Sequence, residues 1–306
     1  MLYRNRWFRY GITLLLLALV AYKVQPEHIL AAAGSARPQD LTVALFLTIP
    51  FICLKALRWY AMLRAAAIEA SYSDAVYSLV GGMGLALITP ARLGELVRAA
   101  YLRDRRKWKI GGLVMVDKGF DVLVLAGLSI PGAASLLGPA PAAGLAALTL
   151  VGLAIVYSPR QVEALLQRAT KRFPARTRVL EAVSSMESLG PRPTTFFLAV
   201  TVLAFAVVLL QFGVILLSWH SWSPSIVLLT FPLVILTNVL PITIGGLGIR
   251  EGAAALLLAH FGVSSADAAL AAFLMFAINT ALPGVVGALL LPTPVAGQQP
   301  VAADHA

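Results

Sequence analysis

Charged residues are scarce in this sequence: they make up 12% of its 306 residues, whereas about 25% is usual for soluble domains. Hydrophobic residues make up 59% and the mean hydropathy is +0.84, so there is too little polar surface to cover a water-soluble globule. This composition argues against a soluble enzyme, a disordered chain and a nucleic-acid-binding module. It favours a polytopic membrane protein, because a helix needs roughly 20 apolar residues to cross a bilayer, which leaves room for about six to eight crossings.

Residues that commonly hold metals or form nucleophilic sites are also few. The one cysteine, Cys53, lies in an apolar segment and has no partner for an intramolecular disulfide. The four histidines are scattered along the chain, and no His, Asp or Glu spacing suits zinc. No Ser-His-Asp or Cys-His arrangement can be argued from the sequence. We therefore expect no metal site, no cofactor and no enzymatic activity.

Sustained alternation of polar and apolar residues, which would indicate membrane strands, is absent as well. Each long apolar run is therefore predicted to be a helix, because a helix satisfies its backbone hydrogen bonds within the segment. The predicted fold is an all-α polytopic membrane protein in one domain, 1–306, with about six full spans. These spans are residues 10–24, 41–63, 110–130, 142–157, 194–217 and 266–291.

The first apolar run has an alternative interpretation as a signal peptide. A basic start, a short apolar core and the small residues Ala31–Ala33 are the three required parts. Lys23, Glu27 and His28 separate the core from those small residues by more than the usual few positions, which favours a membrane span.

A further apolar stretch, 75–88, is short and Gly-rich and ends before Pro90. Seven lysines and arginines follow it between residues 92 and 109, and a full crossing would put this basic cluster outside the cell. We therefore predict a re-entrant hairpin that enters from the cytoplasm, breaks at the proline and returns as an amphipathic helix, 91–102.

A second stretch of this kind, 224–240, also ends before a proline, Pro241, and leads through glycines to a predicted helix at about 250–261. The two hairpins are interpreted as parts of an inverted repeat with halves 10–131 and 142–291. Oppositely oriented halves with broken helices are the usual construction of secondary transporters. Ordinary kinked helices are the alternative interpretation.

The basic excess, 24 Lys and Arg against 14 Asp and Glu, marks the predicted orientation. The positive-inside rule places the N-terminus in the cytoplasm, and the topology returns the C-terminus there in a disordered tail, 292–306. Lys23 and Arg37 then lie outside and Arg250 in the second hairpin, which leaves 21 of the 24 basic residues on the cytoplasmic side. The basic segment 158–193 is predicted to lie on the inner leaflet, so the expected partner is an anionic lipid and not a nucleic acid.

Charges inside apolar segments cost roughly 2.5–3.5 kcal/mol each on insertion, so the few near the hairpin tips are candidates for function. Arg92, Glu95 and Arg98 suit a phosphate clamp, because guanidinium matches phosphate oxygens bidentately. An interfacial helix whose arginines face lipid headgroups is the alternative. Arg250 and Glu251 begin a helix after the second break, where the helix N-terminus favours an anion.

A set of supporting residues surrounds these five candidates. Asp117, Lys118 and Asp121 open the span after the basic loop, and the two aspartates are expected to pair with arginines of the first hairpin. The supporting set is Pro90, Gly94, Asp117, Asp121, Asn238, Pro241, Gly245, Gly246 and Gly248.

Two further groups of polar residues have structural interpretations. Lys55, Arg58 and Arg64, towards the end of the second span, are expected to snorkel to the interface. Asn238 and Asn279 are intramembrane amides, which we expect to form hydrogen bonds between helices.

Two segments resemble the signature segments of a known family. Thr89–Arg98 (TPARLGELVR) and Leu240–Gly252 (LPITIGGLGIREG) are similar to those of the lysylphosphatidylglycerol synthase transmembrane family, also called flippase-like membrane proteins. Where the family often has Glu-Arg followed by Asp, this chain has Asp117 and Lys118 before Asp121, which keeps the charge signs.

The resemblance implies a protein of the bacterial inner membrane that moves lipids or lipid-linked headgroups between leaflets. Arg92, Glu95 and Arg98 match the first signature, and Arg250 and Glu251 match the second. The sequence lacks the aminoacyl-transferring domain of the full-length synthases, so we expect a stand-alone module that does not make lysylphosphatidylglycerol. The alternative function is a membrane scaffold or accessory subunit for a lipid-modifying or glycosyltransferase system, with the basic segment as its docking surface.

Overall fold

A computed structural model of the chain describes residues 31, 34–88, 95–102, 104, 106–158, 191–219, 223–239, 243 and 246–290. Helices account for most of this part of the chain, and no strand occurs in it. The prediction of an all-α protein is therefore confirmed for the described residues.

Five helices that the structure describes lie between residues 38 and 157. They are α1 (Pro38–Ala65), α2 (Tyr72–Ile88), α3 (Arg98–Tyr101), α4 (Lys107–Leu136) and α5 (Pro139–Tyr157). The two longest, α1 and α4, have 28 and 30 residues and each continues through an internal proline, Pro50 in α1 and Pro131 in α4. Transmembrane helices tolerate such prolines because neighbouring groups satisfy the freed backbone carbonyl.

Five more helices within the described ranges lie between residues 191 and 290. They are α6 (Pro191–Leu217), α7 (Pro224–Leu236), α8 (Ile249–Ala259), α9 (Ser265–Phe276) and α10 (Leu282–Leu290). A 3-10 turn, Thr237–Val239, extends α7, and a π-helical turn, Ala277–Ala281, joins α9 to α10. The start of α9 follows from its sequence, since Ser264 caps the helix by accepting a hydrogen bond from the N–H of Asp267 at 3.1 Å.

Four helical segments in the described ranges are long and apolar enough to cross a bilayer. They are Pro38–Ala65, Pro139–Tyr157, Arg192–Leu217 and Ser265–Gly287, and each overlaps one of the six predicted spans. Of the other two, span 10–24 lies outside the described residues, and span 110–130 lies within α4, which is not one of the four. The chain is a multi-pass membrane protein, and the number of six spans stays a prediction.

Both predicted helix breaks, at Pro90 and Pro241, fall between described helices. α2 ends at Ile88 and the next described helical residues are 95–101, while the turn after α7 ends at Val239 and α8 begins at Ile249. Pro90, Gly94, Pro241 and Gly245 lie outside the described residues, so the re-entrant paths stay predictions. The predicted interfacial segment 158–193 is described only at its ends, and the predicted tail 292–306 lies outside the described ranges.

Helices pack reciprocally between the two parts of the chain. α1 packs along α6, α2 packs against α10, and α7 packs against α4. The last two pairs are equivalent, since each joins the helix before a predicted break to the final described helix of the other predicted half. In each, backbone meets backbone: a Cβ on Gly287 would lie 2.4 Å from the carbonyl oxygen of Val80, and one on Gly132 would lie 1.9 Å from that of Leu229.

The buried apolar residues form two main clusters. One includes Trp59 and Phe120, and the other includes Phe212 and Phe231, whose rings stack 3.7 Å apart. The paired helices α1 and α6 contribute to both clusters, so this pair connects the two parts of the protein.

Candidate functional site

Seven charged side chains meet in the interior of the protein. They are Lys55 and Arg58 of α1, Glu95 of the turn before α3, Arg98 of α3, and Asp117, Lys118 and Asp121 of α4. We call this set the ion network. Its four cations and three anions leave a formal charge of +1.

Asp117 lies between two guanidinium groups and is almost fully buried. Its Oδ1 accepts a hydrogen bond from Arg58 Nε at 2.8 Å, and its Oδ2 accepts one from Arg98 Nη1 at 3.0 Å. Removing one partner of a buried pair leaves an uncompensated charge, so the three side chains depend on one another. The expected pairing with an arginine of the first hairpin is confirmed for Asp117, whose partner is Arg98. It is wrong for Asp121, whose partners lie in α1 and α4.

Asp121 lies one turn further along α4 and contacts two cations of α1, Lys55 and Arg58. Its Oδ1 accepts a hydrogen bond from Arg58 Nη1 at 2.8 Å, and its Oδ2 accepts one from Lys55 Nζ at 2.6 Å. The same nitrogen of Arg58 donates to the hydroxyl of Thr201 in α6 at 2.6 Å. Arg58 therefore joins α1, α4 and α6.

The prediction that Lys55 and Arg58 snorkel to the interface is wrong. Both side chains are buried, because the two carboxylates of α4 hold them inside the protein. Arg64 is exposed, as expected for a residue at the interface.

Glu95 connects the turn before α3 to the network. Its Oε2 accepts a hydrogen bond from Arg98 Nη2 at 2.9 Å and also contacts Lys118 Nζ. Arg98 is fully buried and lies over the ring of Trp59, 5.6 Å from its centre. The Lys118 side chain, in contrast, is 33% exposed, the highest value in the network.

Arg250 and Glu251 form a second charged pair at the start of α8. Arg250 Nη2 donates to Glu251 Oε1 at 2.6 Å, and the N–H of Gly248 donates to Glu251 Oε2 at 2.6 Å. Glu251 therefore caps the first turn of α8 as well as balancing Arg250. The guanidinium carbon of Arg250 lies 4.6 Å from the centre of the Phe276 ring, which is a cation–π distance.

Gly246 and Gly248 form the turn that leads into α8. Their φ angles are +75° and +85°, which residues with a side chain rarely adopt. A Cβ on Gly246 would also lie 2.2 Å from Asn238 Oδ1. That oxygen is buried and has no hydrogen-bond partner within the part of the chain that the structure describes.

Three uncharged polar side chains join α1, α6 and the π turn. Asn279 Nδ2 donates to Gln211 Oε1 at 2.6 Å, Thr48 Oγ1 donates to Asn279 Oδ1 at 3.0 Å, and Gln211 Nε2 donates to Thr48 Oγ1 at 3.1 Å. The expected role of Asn279 in hydrogen bonds between helices is therefore confirmed. π turns of this kind are frequent at functional sites.

A cavity of about 430 Å³ lies between the ion network and the Arg250–Glu251 pair, and residues of both line it. Its polar lining consists of Lys55, Glu95, Lys118, Asp121, Asn238, Arg250, Asn279 and Thr280. The volume lies within the range of about 300–1,000 Å³ that is usual for small-molecule sites. No group of His, Cys, Asp and Glu that could hold a metal ion occurs among the described residues.

The family model for the transmembrane region of lysylphosphatidylglycerol synthase matches residues 6–287. The chain belongs to this family. The match confirms the resemblance that the two signature segments carry, and it extends over most of the chain. In this family member each segment contains a residue that lines the cavity, Glu95 in the first and Arg250 in the second.

One relative with a curated name is Glycosyltransferase AglD of Haloferax volcanii, 29% identical over 125 residues. The matched region covers 39% of this chain and 19% of that protein. The chain therefore spans less than a fifth of the relative that it matches.

The predicted site residues of this family member fall into four sets. Glu95 and Arg250, with Asp121 and Asn238, line the cavity. Arg98, Asp117 and Glu251 are buried and bind charged neighbours, and Gly246 and Gly248 shape the turn before α8. Arg92, Pro90, Gly94, Pro241 and Gly245 lie outside the described residues.

Sequence reasoning missed Lys55 and Arg58 as members of the ion network. The available signal was the spacing, since two cations three residues apart in one span match two aspartates four residues apart in another. Sequence reasoning also missed Gln211, although it is the one amide between residues 194 and 217.

Two basic residues around the start of α4 form hydrogen bonds to the turn that follows α1. Arg106 Nη2 donates to the carbonyl of Ala67 at 2.7 Å, and Lys109 Nζ donates to that of Ala66 at 2.8 Å. Arg106 also donates a hydrogen bond to the Asp104 carboxylate at 2.6 Å. The side-chain and backbone hydrogen bonds from Arg106 lower the pKa of this carboxyl to about 2. The loop thus binds the C-terminal end of α1.

Proposed function

We propose that this protein passes the phosphate headgroup of a membrane lipid, or of a lipid-linked group, through the cavity while the lipid tails stay in the bilayer. The observation that carries the proposal is the cavity itself: a charged residue from each signature segment, Glu95 in the first and Arg250 in the second, lines it inside a multi-pass membrane protein. Charges at such a position are costly, which favours a functional role over simple packing.

The cations on the cavity wall are the proposed ligands of the phosphate. Lys118 and Lys55 line the cavity on the side of the ion network. Arg250 lines it on the side of the Arg250–Glu251 pair. Charge-assisted hydrogen bonds to phosphate oxygens are short and strong. Arg98 and Arg58 have a positioning role in this proposal, because both donate hydrogen bonds to Asp117.

The reciprocal helix packing supports an inverted repeat. The helix before each break packs against the final helix of the opposite half, and both contacts are backbone approaches at a glycine, Gly132 in one and Gly287 in the other. We propose that the two broken segments are re-entrant hairpins and that the cavity opens to each leaflet in turn as the halves move against one another. The bacterial inner membrane, with both termini in the cytoplasm, is part of the same proposal.

Leaflet exchange in liposomes tests this function. Purified protein would be reconstituted with a fluorescent anionic phospholipid, and exchange would be followed by quenching of the outer-leaflet dye with dithionite. The variants Lys118→Gln and Arg250→Gln should slow exchange at least about tenfold, since a hydrogen bond to a charged group contributes about 1.5–3 kcal/mol. The matched control Arg64→Gln removes an exposed charge away from the cavity and should leave the rate unchanged. Equal rates in all four proteins, or no exchange above that of empty liposomes, would contradict the proposal.

The relative named as a glycosyltransferase favours a second candidate, an accessory membrane subunit of a glycosyltransferase or lipid-modifying system. In that case the basic segment 158–193 would be the docking surface. Deleting part of this segment should then abolish co-purification of the partner enzyme while leaving lipid exchange intact. The translocator proposal predicts instead that lipid exchange depends on Lys118 and Arg250.

A further inference from the structure

The charges around the cavity indicate which kind of headgroup it accepts. Lys55, Lys118 and Arg250 line it together with two carboxylates, Glu95 and Asp121, so the lining carries a formal charge of +1 among the described residues. The charged residues immediately behind the lining do not change this balance. They are Arg58, Arg98, Asp117 and Glu251, two cations and two anions.

Both carboxylates of the lining already bind two cations of the protein. Asp121 accepts hydrogen bonds from Lys55 at 2.6 Å and from Arg58 at 2.8 Å, and Glu95 accepts one from Arg98 at 2.9 Å and contacts Lys118. An ammonium group on a ligand would compete with these cations for the two carboxylates and would add a further positive charge beside them. A cation that it displaced would lose one of its buried partners, which is unfavourable.

An anionic group meets no such obstacle. The Lys118 side chain is 33% exposed and carries three donors, so it can bind a phosphate oxygen and keep its contact with Glu95. Arg250 lines the same cavity and adds a second cation. The charge balance and the donor geometry therefore both favour a phosphate.

The remaining polar lining is uncharged. Asn238, Asn279 and Thr280 present amide and hydroxyl groups, which donate hydrogen bonds to hydroxyls and accept them. The Oδ1 of Asn238 is buried and has no partner in the described part of the chain. Phe51 and Phe205 contribute aromatic surface to the same cavity.

Resting on the proposed function, we propose that the cavity selects lipids whose phosphate carries an uncharged, hydroxyl-bearing substituent and discriminates against headgroups that carry an amino group. Glycerol phosphate on a diacylglycerol and a sugar phosphate on a polyprenol share this chemistry. A lysyl ester of phosphatidylglycerol does not, since it adds two amino groups.

A comparison of fluorescent lipids in the same proteoliposomes tests the selectivity. The lipids would be phosphatidylglycerol, a polyprenyl-phosphate hexose and lysylphosphatidylglycerol. At least one of the first two should exchange about tenfold faster than the lysyl lipid, or more, given the contribution of a charged hydrogen bond, and the faster of the two identifies the carrier. Exchange of the lysyl lipid at an equal or higher rate would overturn the selectivity while supporting the proposed function. Absence of exchange for all three would overturn both.

Changing the charge of the cavity provides a second arm. Lys118→Glu changes the formal charge of the lining from +1 to −1 and should lower the rate ratio of phosphatidylglycerol to lysylphosphatidylglycerol at least about tenfold. Lys118→Gln avoids placing a third carboxylate beside Glu95 and should lower the same ratio by less. Arg64→Glu makes the same charge change away from the cavity and should leave the ratio unaltered. An unchanged ratio in both Lys118 variants would overturn the selectivity.

Discussion

Arg58 illustrates at the scale of single residues why a chain this apolar keeps charges in its interior. Its guanidinium contacts Asp117, Asp121 and Thr201, so one side chain joins three helices. Buried ion pairs add little net stability over apolar packing, but breaking one is costly. The network therefore acts as a constraint on which helices can be neighbours and in what register.

The substitution Asp117→Asn should be strongly destabilising. It removes the carboxylate shared by Arg58 and Arg98 and leaves two buried guanidinium groups undercompensated, at a cost of about 3–5 kcal/mol. The midpoint of thermal unfolding in detergent would measure the effect. A midpoint equal to that of the wild type would show that the pairing contributes nothing to the folded state.

Asp104→Asn is the matched control for this substitution. It makes the same chemical change in a pair whose arginine, Arg106, is half exposed, so less than about 1 kcal/mol should be lost. Because the pKa of Asp104 is about 2, the comparison at neutral pH tests the ionised form.

Gly246→Ala should also destabilise the protein, by at least about 1 kcal/mol, because it places a Cβ at a positive φ. That Cβ would lie 2.2 Å from Asn238 Oδ1. Gly144→Ala is the control, since nothing lies within 4 Å of a Cβ there and alanine in a helix is favoured over glycine by about 0.5–1 kcal/mol. Equal unfolding midpoints for the two variants would contradict the turn geometry.

At the scale of helices, the two glycine contacts that join the halves make equivalent predictions. Gly132→Ala and Gly287→Ala should each force a helix pair apart, at a cost of about 1–3 kcal/mol for overpacking. Gly119→Ala, in the same helix as Gly132, meets nothing within 4 Å and should be neutral or stabilising. The unfolding midpoints of the three variants would show whether both contacts are as tight as described.

Much of the helix pattern could be predicted from the sequence. Long apolar runs define α1, α5 and α6 within a few residues, and the positions of Pro90 and Pro241 predicted where α2 and the α7 segment end. The partners of Lys55 and Arg58 could not be predicted, because hydropathy locates spans but does not show which spans are neighbours. An end-of-helix cation and a buried one have the same local sequence, so only the carboxylates of α4 distinguish them.

At the scale of the whole molecule, the structure changes how the basic residues are interpreted. Four of the 21 counted on the cytoplasmic side, Lys55, Arg58, Arg98 and Lys118, belong to the ion network. Their position is set by pairing and not by the positive-inside rule. The predicted orientation therefore depends on the remaining basic residues.

Single-cysteine labelling tests the orientation. In a Cys53→Ala background, Ser158→Cys should react with a membrane-impermeant maleimide only from the cytoplasmic face. Ser225→Cys should react only from the outer face, because the predicted topology places the start of α7 there. Labelling of both positions from the same face would contradict the topology.

If lipid headgroups cross through the cavity, a chemical modification that blocks the cavity in folded protein should stop their exchange. Val122 lines the cavity beside Asp121, whereas Leu150 of α5 is exposed on the outer surface of the described fold. In a Cys53→Ala background, Val122→Cys and Leu150→Cys would each be reconstituted, and exchange of fluorescent phosphatidylglycerol would be measured before and after N-ethylmaleimide. Modification should stop exchange in Val122→Cys and leave it unchanged in Leu150→Cys. Undiminished exchange in fully modified Val122→Cys would contradict passage of headgroups through the cavity.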